Sequence, residues 1–398
     1  MGPFDVIIIG GGISGTSLAH YFLRAGLKPC LLEKETSVGG ALASQRHEGG
    51  FWLEMGAHTA YNSYGNFLSI LSERRLIEQL EKRQTSRWML WDDHRAVSIK
   101  GRIGIFELIR SLPSIFWTDK SGLTVEGYYS KILGSNNYRN VGRPMFNAVT
   151  SQEAGNIPAA MLFKKRPRDK QVMRSFTLKG GLRSVPEAIC AMDGLTLRTG
   201  CDVKQIGFRE GMFQVTEAAG GVLEAPALAL ATPADAAAGL LGASFPPIAE
   251  ILSRITVREI LSIGAVVKKG RVRLPLMAGL VGGDDSFYSM VSRDPVDHPE
   301  QRGFTFHFKP DAGREESMET IERILGTPRR DFDHLATRTN RMPSPRPGHG
   351  AWVRELDALL AGKSILITGN YFAGLSIEDC VSRSVKEGAR WMQRLQAL

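Results

Sequence analysis

Gly10, Gly12 and Gly15 stand in the spacing G-x-G-x-x-G, and an acid, Glu33, follows Gly15 by eighteen residues. Those residue types at those intervals can hold a dinucleotide by its pyrophosphate and ribose. Gly10 permits a tight turn, and Gly12 lets the backbone approach the phosphates with no Cβ in the way. Gly15 allows a helix to pack closely on a strand. Ile13 and Ser14 begin that helix, whose free N–H groups and positive dipole end face the phosphate oxygens. Glu33 is placed to accept hydrogen bonds from the ribose hydroxyls, with Lys34 beside it.

The surrounding elements support this chemistry. Val6–Ile9 is β-branched and continuously apolar, which predicts a parallel strand buried on both faces. Helical periodicity runs from Ser14 through Leu18, Ala19, Phe22 and Leu23 until Gly26 stops it, and Lys28–Glu33 reads as a second strand ending on the acid. Glycines set between a strand and a helix, with the acid at this distance, are far more specific than the glycine triplet alone.

Further candidates lie downstream. Val38-Gly39-Gly40-Ala41 follows the acid, and after a polar stretch comes Gly49-Gly50-Phe51-Trp52-Leu53-Glu54-Met55-Gly56-Ala57-His58. His58 can act as an acid or base near neutral pH, the alternative being a hydrogen-bonded structural histidine. Arg87, in Ser-Arg-Trp-Met-Leu-Trp, offers a planar fork for a carboxylate, or else is a surface residue on an amphipathic strand. Near the C-terminus, Ile365–Thr368 reads as a buried strand, and Gly369 and Gly374 as points where the backbone passes close to a ligand. Ser376 with Asp379 resembles a capping box, with Glu378 adding to an acidic first turn of the last helix. No hydrolytic triad, metal-ligand cluster or Walker-type loop stands out.

At 398 residues the chain is long enough for two or three lobes, and its 43% hydrophobic and 23% charged residues are ordinary for a globular enzyme. A net charge of +9 favours anionic partners, small molecules or acidic lipid ahead of nucleic acid. The basic residues are scattered, and the short clusters Lys164-Lys165-Arg166 and Arg329-Arg330 read as solvated surface. The four cysteines show no paired spacing, so a reducing cytoplasm is the expected compartment. Val6–Ile9 is too short for a signal-peptide core, and no window approaches the ~20 apolar residues of a membrane span. Ile103–Trp117 is rich in large apolar residues with Arg102, Arg110 and Lys120 around it. A core helix or tunnel lining is the first expectation there, and peripheral contact with an acidic membrane the second.

The whole pattern resembles the FAD-dependent amine oxidase and protoporphyrinogen oxidase superfamily, and within it the protoporphyrinogen oxidases. That resemblance rests on Gly10–Glu33, on Gly39-Gly40 and the acid-x-Gly element Glu54-Met55-Gly56, on the strand around Arg87, on Tyr128–Pro158, on Ser175–Ala191 and on Ile365–Arg390. It implies an α/β fold with FAD as cofactor: a Rossmann-like FAD-binding domain from segments 1–80, 175–241 and 343–398. A mixed-sheet substrate domain from 81–100 and 242–342 and a helical insertion at 101–174 would complete it. It further implies FAD contacts at Gly39, Gly40, Ala41, Gly56 and Ala57, at Val203 within a strand Leu197–Ile206, and at Gly369, Asn370, Leu375, Ser376 and Ile377. Arg87 falls on the family's propionate-binding arginine, and the last helix would point its N-terminus at the flavin. Ala41 departs from the basic or polar residue usual in the broader family. The resemblance implies desaturation of an anionic, ring-rich substrate. An amine oxidase or natural-product desaturase on the same scaffold stays open, as does a cofactor-free escort protein.

Overall fold

A computed structural model describes residues 3–84, 86–283 and 286–396, so Thr85 of the strand around Arg87 lies outside the described residues. At its centre is a five-stranded parallel sheet in the order Thr196–Arg198, Pro29–Leu32, Val6–Ile9, Leu228–Leu230, Ile365–Ile367. Alternate residues of Val6–Ile9 serve opposite cores. Ile7 and Ile9 join Leu230, Ile367 and Leu252 on one face, while Val6 and Ile8 meet Leu18, Phe22 and Trp391 on the other. Burial on both faces explains why these strands are apolar throughout and not alternating. The helices Ile13–Arg24 and Ile377–Gln396 lie side by side in the same sense, since Ser384 Oγ donates to the Ser14 carbonyl at 2.7 Å and Phe22 meets Trp391 edge-on.

The expected single strand Leu197–Ile206 is two strands. Thr196–Arg198 joins the parallel sheet, and Val203–Arg209 opens a separate antiparallel meander with Met212–Glu217 and Val222–Ala225. Gly200 causes the break: it adopts φ +66°, and the N–H groups of Gly200 and Cys201 bond the carbonyls of Glu35 and Glu33. That tie brings Val203 near the acid at the end of the second strand.

The second lobe is a seven-stranded mixed sheet: His334–Pro343, Val257–Lys268, Gln301–Phe308, Phe287–Ser292, Gly279–Gly282, Trp88–Asp92, Arg95–Ser98. Its one parallel pairing joins Gly279–Gly282 to Trp88–Asp92. Helix Arg314–Leu325 covers one face through Ile321, Ile324 and Leu325, packed on Phe304, Phe306 and Phe308. Against the other face lies the segment Phe51–Met55. A Cβ on Gly264 would stand 2.7 Å from both Leu53 and Met55, and one on Gly303 would stand 2.8 Å from Phe51, so bare backbone at those two positions seats the segment on the sheet. Helix Pro246–Ser253 falls inside the stretch assigned to the substrate domain, yet Ile248, Ile251 and Leu252 pack in the core of Ile7.

The insertion is helical, with Val125–Leu133 and Arg143–Thr150 around Tyr138, Phe146 and Ile157. Ile103–Trp117 is neither core helix nor tunnel lining: Ile105–Ser111 and Leu112–Phe116 contain no buried residue. Polar ties hold it. Asn137 Oδ1 accepts from the Gly104 N–H at 2.7 Å, and the Glu107 carboxylate accepts the N–H groups of Asn136 and Asn137.

Candidate functional site

The strands Val6–Ile9, Pro29–Leu32, Leu228–Leu230 and Ile365–Ile367 end at one edge of the parallel sheet, where Gly10, Glu33, Ala231 and Thr368 follow them. Open parallel sheets bind ligands in the crevice at that edge. Gly10 leaves its strand at φ +108°, and a Cβ on Gly15 would lie 2.0 Å from the Gly10 carbonyl, so helix and strand meet backbone to backbone. Gly12 is different. A Cβ there would meet only the Gly40 Cα at 3.8 Å, and Gly12 caps the helix with no side-chain hydrogen bond and no acid in the first turn. The backbone donors of Ile13, Ser14 and Gly15 thus face a space that glycine keeps clear, as a pyrophosphate requires. Gly39 pairs with this loop, its N–H bonding the Gly11 carbonyl at 2.9 Å. Glu33 is buried at the strand end, its two oxygens held by the N–H groups of Gly11 (2.7 Å) and Glu35 (2.9 Å). Lys34 points into solvent.

Positive charge reaches the cradle by a route the sequence did not reveal. Ala41 brings none, but the Arg183 side chain would touch a Cβ on Gly39, and Arg338 donates to the Gly40 carbonyl at 3.0 Å. Burial lowers the Arg338 pKa, while the carboxylates of Glu35 and Glu33 pull it back up.

The Gly40–Ala41 loop continues into the junction of the two lobes, where the Ala57 N–H bonds the Ala41 carbonyl at 2.9 Å. Glu54 is desolvated there and pushed up to about 7, despite hydrogen bonds from Ser44 Oγ (2.5 Å) and the Leu182 N–H (2.8 Å). His58 keeps partial exposure, and its Nδ1 pairs with Thr59 Oγ1 at 2.7 Å. Desolvation, then the charges of Arg83 and His307, hold its imidazolium far below the usual histidine range, so His58 is neutral at pH 7. His307 is likewise pushed down to about 4 by burial, with Nδ1 on Ser262 Oγ at 2.8 Å; Asn340 bridges Ser262 to the Met55 carbonyl.

Two arginines complete the junction. Arg83 donates to the His58 carbonyl at 3.3 Å, and burial lowers its pKa. Among the described residues no carboxylate lies within ion-pair distance of it. Arg293 stacks 3.9 Å from the Trp52 ring centre and is pushed down to about 10 by burial. Arg87 stands exposed before its strand, its carbonyl accepting the Ala278 N–H. Arg83 and Glu54 sit in or next to segments the sequence singled out. Arg293, His307 and Arg338 come from the far sheet, and nothing local to them signals the junction.

At the last helix the capping box is present. Ser376 Oγ accepts from the Asp379 N–H, and the Asp379 carboxylate takes the Ser376 N–H and hydroxyl at 3.2 and 2.6 Å. Burial would raise the Asp379 pKa, but Lys164 at 2.6 Å, Ser376 and Arg166 at 2.7 Å hold it below its ordinary value. Lys164 and Arg166 are therefore latched to this helix, contrary to the solvated-surface reading of their cluster. Glu378 turns away and accepts the N–H groups of Asn66 and Phe67, capping helix Gly65–Glu73. At Gly369 and Gly374 the protein's own packing already requires glycine. A Cβ would meet the Tyr371 ring at 2.5 Å at the first and Asp379 at 2.5 Å at the second. Asn370, Leu375 and Ser376 keep partial exposure at the crevice, while Ile377 is buried.

Comparison with known proteins agrees with this geometry. The family model for an NAD(P)-binding Rossmann-like domain matches residues 8–73, and that for flavin containing amine oxidoreductases matches residues 143–266. The 15-cis-phytoene desaturase of Solanum lycopersicum is 29% identical over 116 residues, which are 28% of this chain and 18% of that enzyme. The chain thus spans under a fifth of that relative's length. Among solved structures, a protein assigned as protoporphyrinogen oxidase from Exiguobacterium superposes with a TM-score of 0.78 at 16% identity over 99% of both chains. A fatty acid isomerase from P. acnes that produces CLA reaches 0.76 at 16% identity over 98% of both. At such identities these likenesses establish the shared fold. The chain thus carries an NAD(P)-binding Rossmann-like match over residues 8–73 and a flavin containing amine oxidoreductase match over residues 143–266, and with a cradle whose open Gly12 and nearby Arg183 and Arg338 suit a pyrophosphate, the cofactor they imply is FAD.

Proposed function

We propose that the protein desaturates an anionic, ring-rich small molecule at the junction of its two lobes and passes the electrons to oxygen or another acceptor. When bound, the flavin supplies the hydride acceptor. Gly10–Gly15, Glu33, Gly39–Gly40, Arg183 and Arg338 would hold its adenosine and pyrophosphate, and the Gly56–His58 segment lies where the lobes meet. The observation that carries the substrate class is Arg83, a desolvated guanidinium with no carboxylate within ion-pair distance among the described residues, beside His58. A half-buried arginine with no carboxylate partner is stabilised by bidentate hydrogen bonds to an incoming carboxylate. Arg293 adds a second cation to the same wall. A protonated amine would meet both charges in a poorly screened cleft, so an amine oxidase reading fits less well. Neutral His58 would orient a substrate group by hydrogen bonding without exchanging a proton at neutral pH.

Anaerobic flavin bleaching tests this reading, with protoporphyrinogen, coproporphyrinogen, reduced polycyclic acids and amines as the panel. Acids should bleach and amines should not; the reverse would remove the proposal. Arg83→Ala should weaken an acid about ten- to a hundred-fold and its methyl ester hardly at all. Arg87→Ala serves as the comparison, and a larger effect there would move the carboxylate contact to the rim. A protein that purifies colourless and cannot be reconstituted would instead favour a cofactor-free escort role.

A further inference from the structure

A row of polar side chains crosses the second lobe on the sheet face that meets the junction. Arg338 stands opposite Ser262, Ser262 opposite His307 and His307 opposite Ser289, so the four share one face of four neighbouring strands. On the same face Gly303 lies against Phe51, and Thr305 Oγ1 donates to the Glu54 carbonyl at 2.7 Å. His307 is two positions beyond Thr305, close enough to His58 for its charge to weigh on that ring. The row is wired in one direction. Arg338 donates from Nη2 to the Gly40 carbonyl at 3.0 Å and from Nε to Asn340 Oδ1 at 3.3 Å. The Asn340 amide is thereby oriented, and its two N–H bonds go to the Met55 carbonyl and to Ser262 Oγ, each at 2.8 Å. Ser262 is fully buried, and with Oγ already accepting, its own hydrogen goes to His307 Nδ1 at 2.8 Å. A proton on Nδ1 would instead leave that serine hydrogen buried and unpaired, which is costly. Burial keeps the ring uncharged at pH 7, so its single proton sits on Nε2.

We infer that this relay presents His307 Nε2–H as a fixed donor to an oxygen atom of the molecule bound between the lobes. On the proposed reading of the junction as the substrate site, on which this rests, the substrate carries a carboxylate, carbonyl or hydroxyl oxygen that reaches His307. A histidine free in solution exchanges its proton between the two nitrogens and offers donor and acceptor alike. Here the guanidinium at the head of the chain polarises each hydrogen bond after it, which strengthens the last donor. A protonated amine brings only donors and finds no acceptor at Nε2. Ser289 Oγ, buried opposite His307 with no partner among the described residues, is a second group that a bound oxygen would satisfy. Because Arg338 also holds the Gly40 carbonyl, one side chain sets both the cofactor cradle and the donor. Arg338, Asn340 and Ser262 are positioning residues, and His307 is the one that touches the ligand.

The chain has eight histidines, so ¹⁵N-histidine labelling of the FAD-loaded protein resolves the ring nitrogens of His307, assigned by their loss in His307→Gln. With no ligand and no turnover, the wild type should show a protonated Nε2 and a bare Nδ1 at neutral pH, and Ser262→Ala should release the ring into a mixture of both tautomers. A protonated Nδ1 in the wild type overturns the inference whatever substrate the enzyme proves to use. Benzoate, a small aromatic carboxylate, is then titrated into the oxidised protein and followed by flavin absorbance and by the Nε2 signal. His307→Gln keeps a donor where Nε2 stood and should bind benzoate within about twofold of the wild type. His307→Asn and His307→Leu place no donor there and should lose about tenfold. Equal affinity across the series overturns the inference, as does equal loss in all three variants, which would leave His307 a packing role. So does a wild type whose flavin and Nε2 signals ignore benzoate. Arg83→Ala binding benzoate as the wild type does would remove the carboxylate contact at Arg83 and leave the order of the His307 series standing, so the two readings fail separately.

Discussion

Two helices start at the same edge of the parallel sheet and run side by side, yet their first turns are built in opposite ways. Ile13–Arg24 begins on glycine, with no side-chain cap, no acid and open space over Gly12. Ile377–Gln396 begins on a Ser376–Asp379 box, with Lys164 and Arg166 closed over the carboxylate and Glu378 committed to a neighbouring helix. A helix start carries unsatisfied donors that must find an acceptor. At the first helix the protein supplies none, which reserves the donors for phosphate oxygens. At the second it supplies its own carboxylate, which locks the last helix and the insertion to the sheet. Asp379 therefore lies across the start of the last helix and meets its positive dipole end with the protein's own carboxylate.

Substitutions can break this contrast. The largest effect is expected at Gly15→Ala, whose Cβ would enter the Gly10 carbonyl at 2.0 Å; the fold should lose about 3 kcal/mol or more in urea melts. Gly12→Ala, three residues away, should cost the fold under about 1 kcal/mol because its Cβ meets nothing closer than 3.8 Å. It should still weaken FAD about a hundredfold, roughly 2.7 kcal/mol, by filling the phosphate space. Full FAD occupancy in Gly12→Ala at limiting cofactor would show that the cradle lies elsewhere.

At the second helix start the same measurements should separate differently. Asp379→Ala leaves Lys164 and Arg166 facing an empty site and should cost about 2–3 kcal/mol of stability, with far less effect on FAD affinity than Gly12→Ala. Ser376→Ala removes only the cap and should cost about 1 kcal/mol. If either variant lost FAD as readily as Gly12→Ala, the two starts would be serving the cofactor alike.

Acid and alkali sharpen the comparison further. Asp379 is held below its ordinary pKa, so its stabilisation is present at neutral pH and disappears as pH falls through the carboxylate range. Glu54 titrates in the other sense. Pushed up to about 7, it favours the fold when protonated, and that contribution is lost as pH rises from about 4 through 7, by up to about 3 kcal/mol. Glu54→Gln should flatten stability between about pH 4 and about pH 7, whereas Asp379→Asn should flatten only the acid limb. The smallest effect is expected from His58→Gln. A histidine already neutral at pH 7 should leave the pH profile of flavin reduction unshifted above about pH 6. A shifted profile would return His58 to proton transfer.

The cradle was legible in the sequence because everything that shapes it is local. Strand, turn and helix fall within residues 6–24, and each glycine answers a constraint a few residues away. The Ser376–Asp379 box was legible for the same reason, since a capping motif closes on itself within one turn. The junction was not. Arg293, His307 and Arg338 reach it only because distant strands pair into one sheet and Gly264 and Gly303 let the Phe51–Met55 segment settle on it. Nor could spacing alone decide Ile103–Trp117. A helical stripe of apolar residues states that one face avoids water, but not whether the rest of the chain comes to cover it. Here Glu107 and Asn137 tie the opposite side to the insertion and leave the stripe outside. Short-range sterics and hydrogen bonding write the phosphate site and the cap into the sequence, whereas the charges around His58 and the exposure of 105–117 are set by which surfaces meet when the lobes pack.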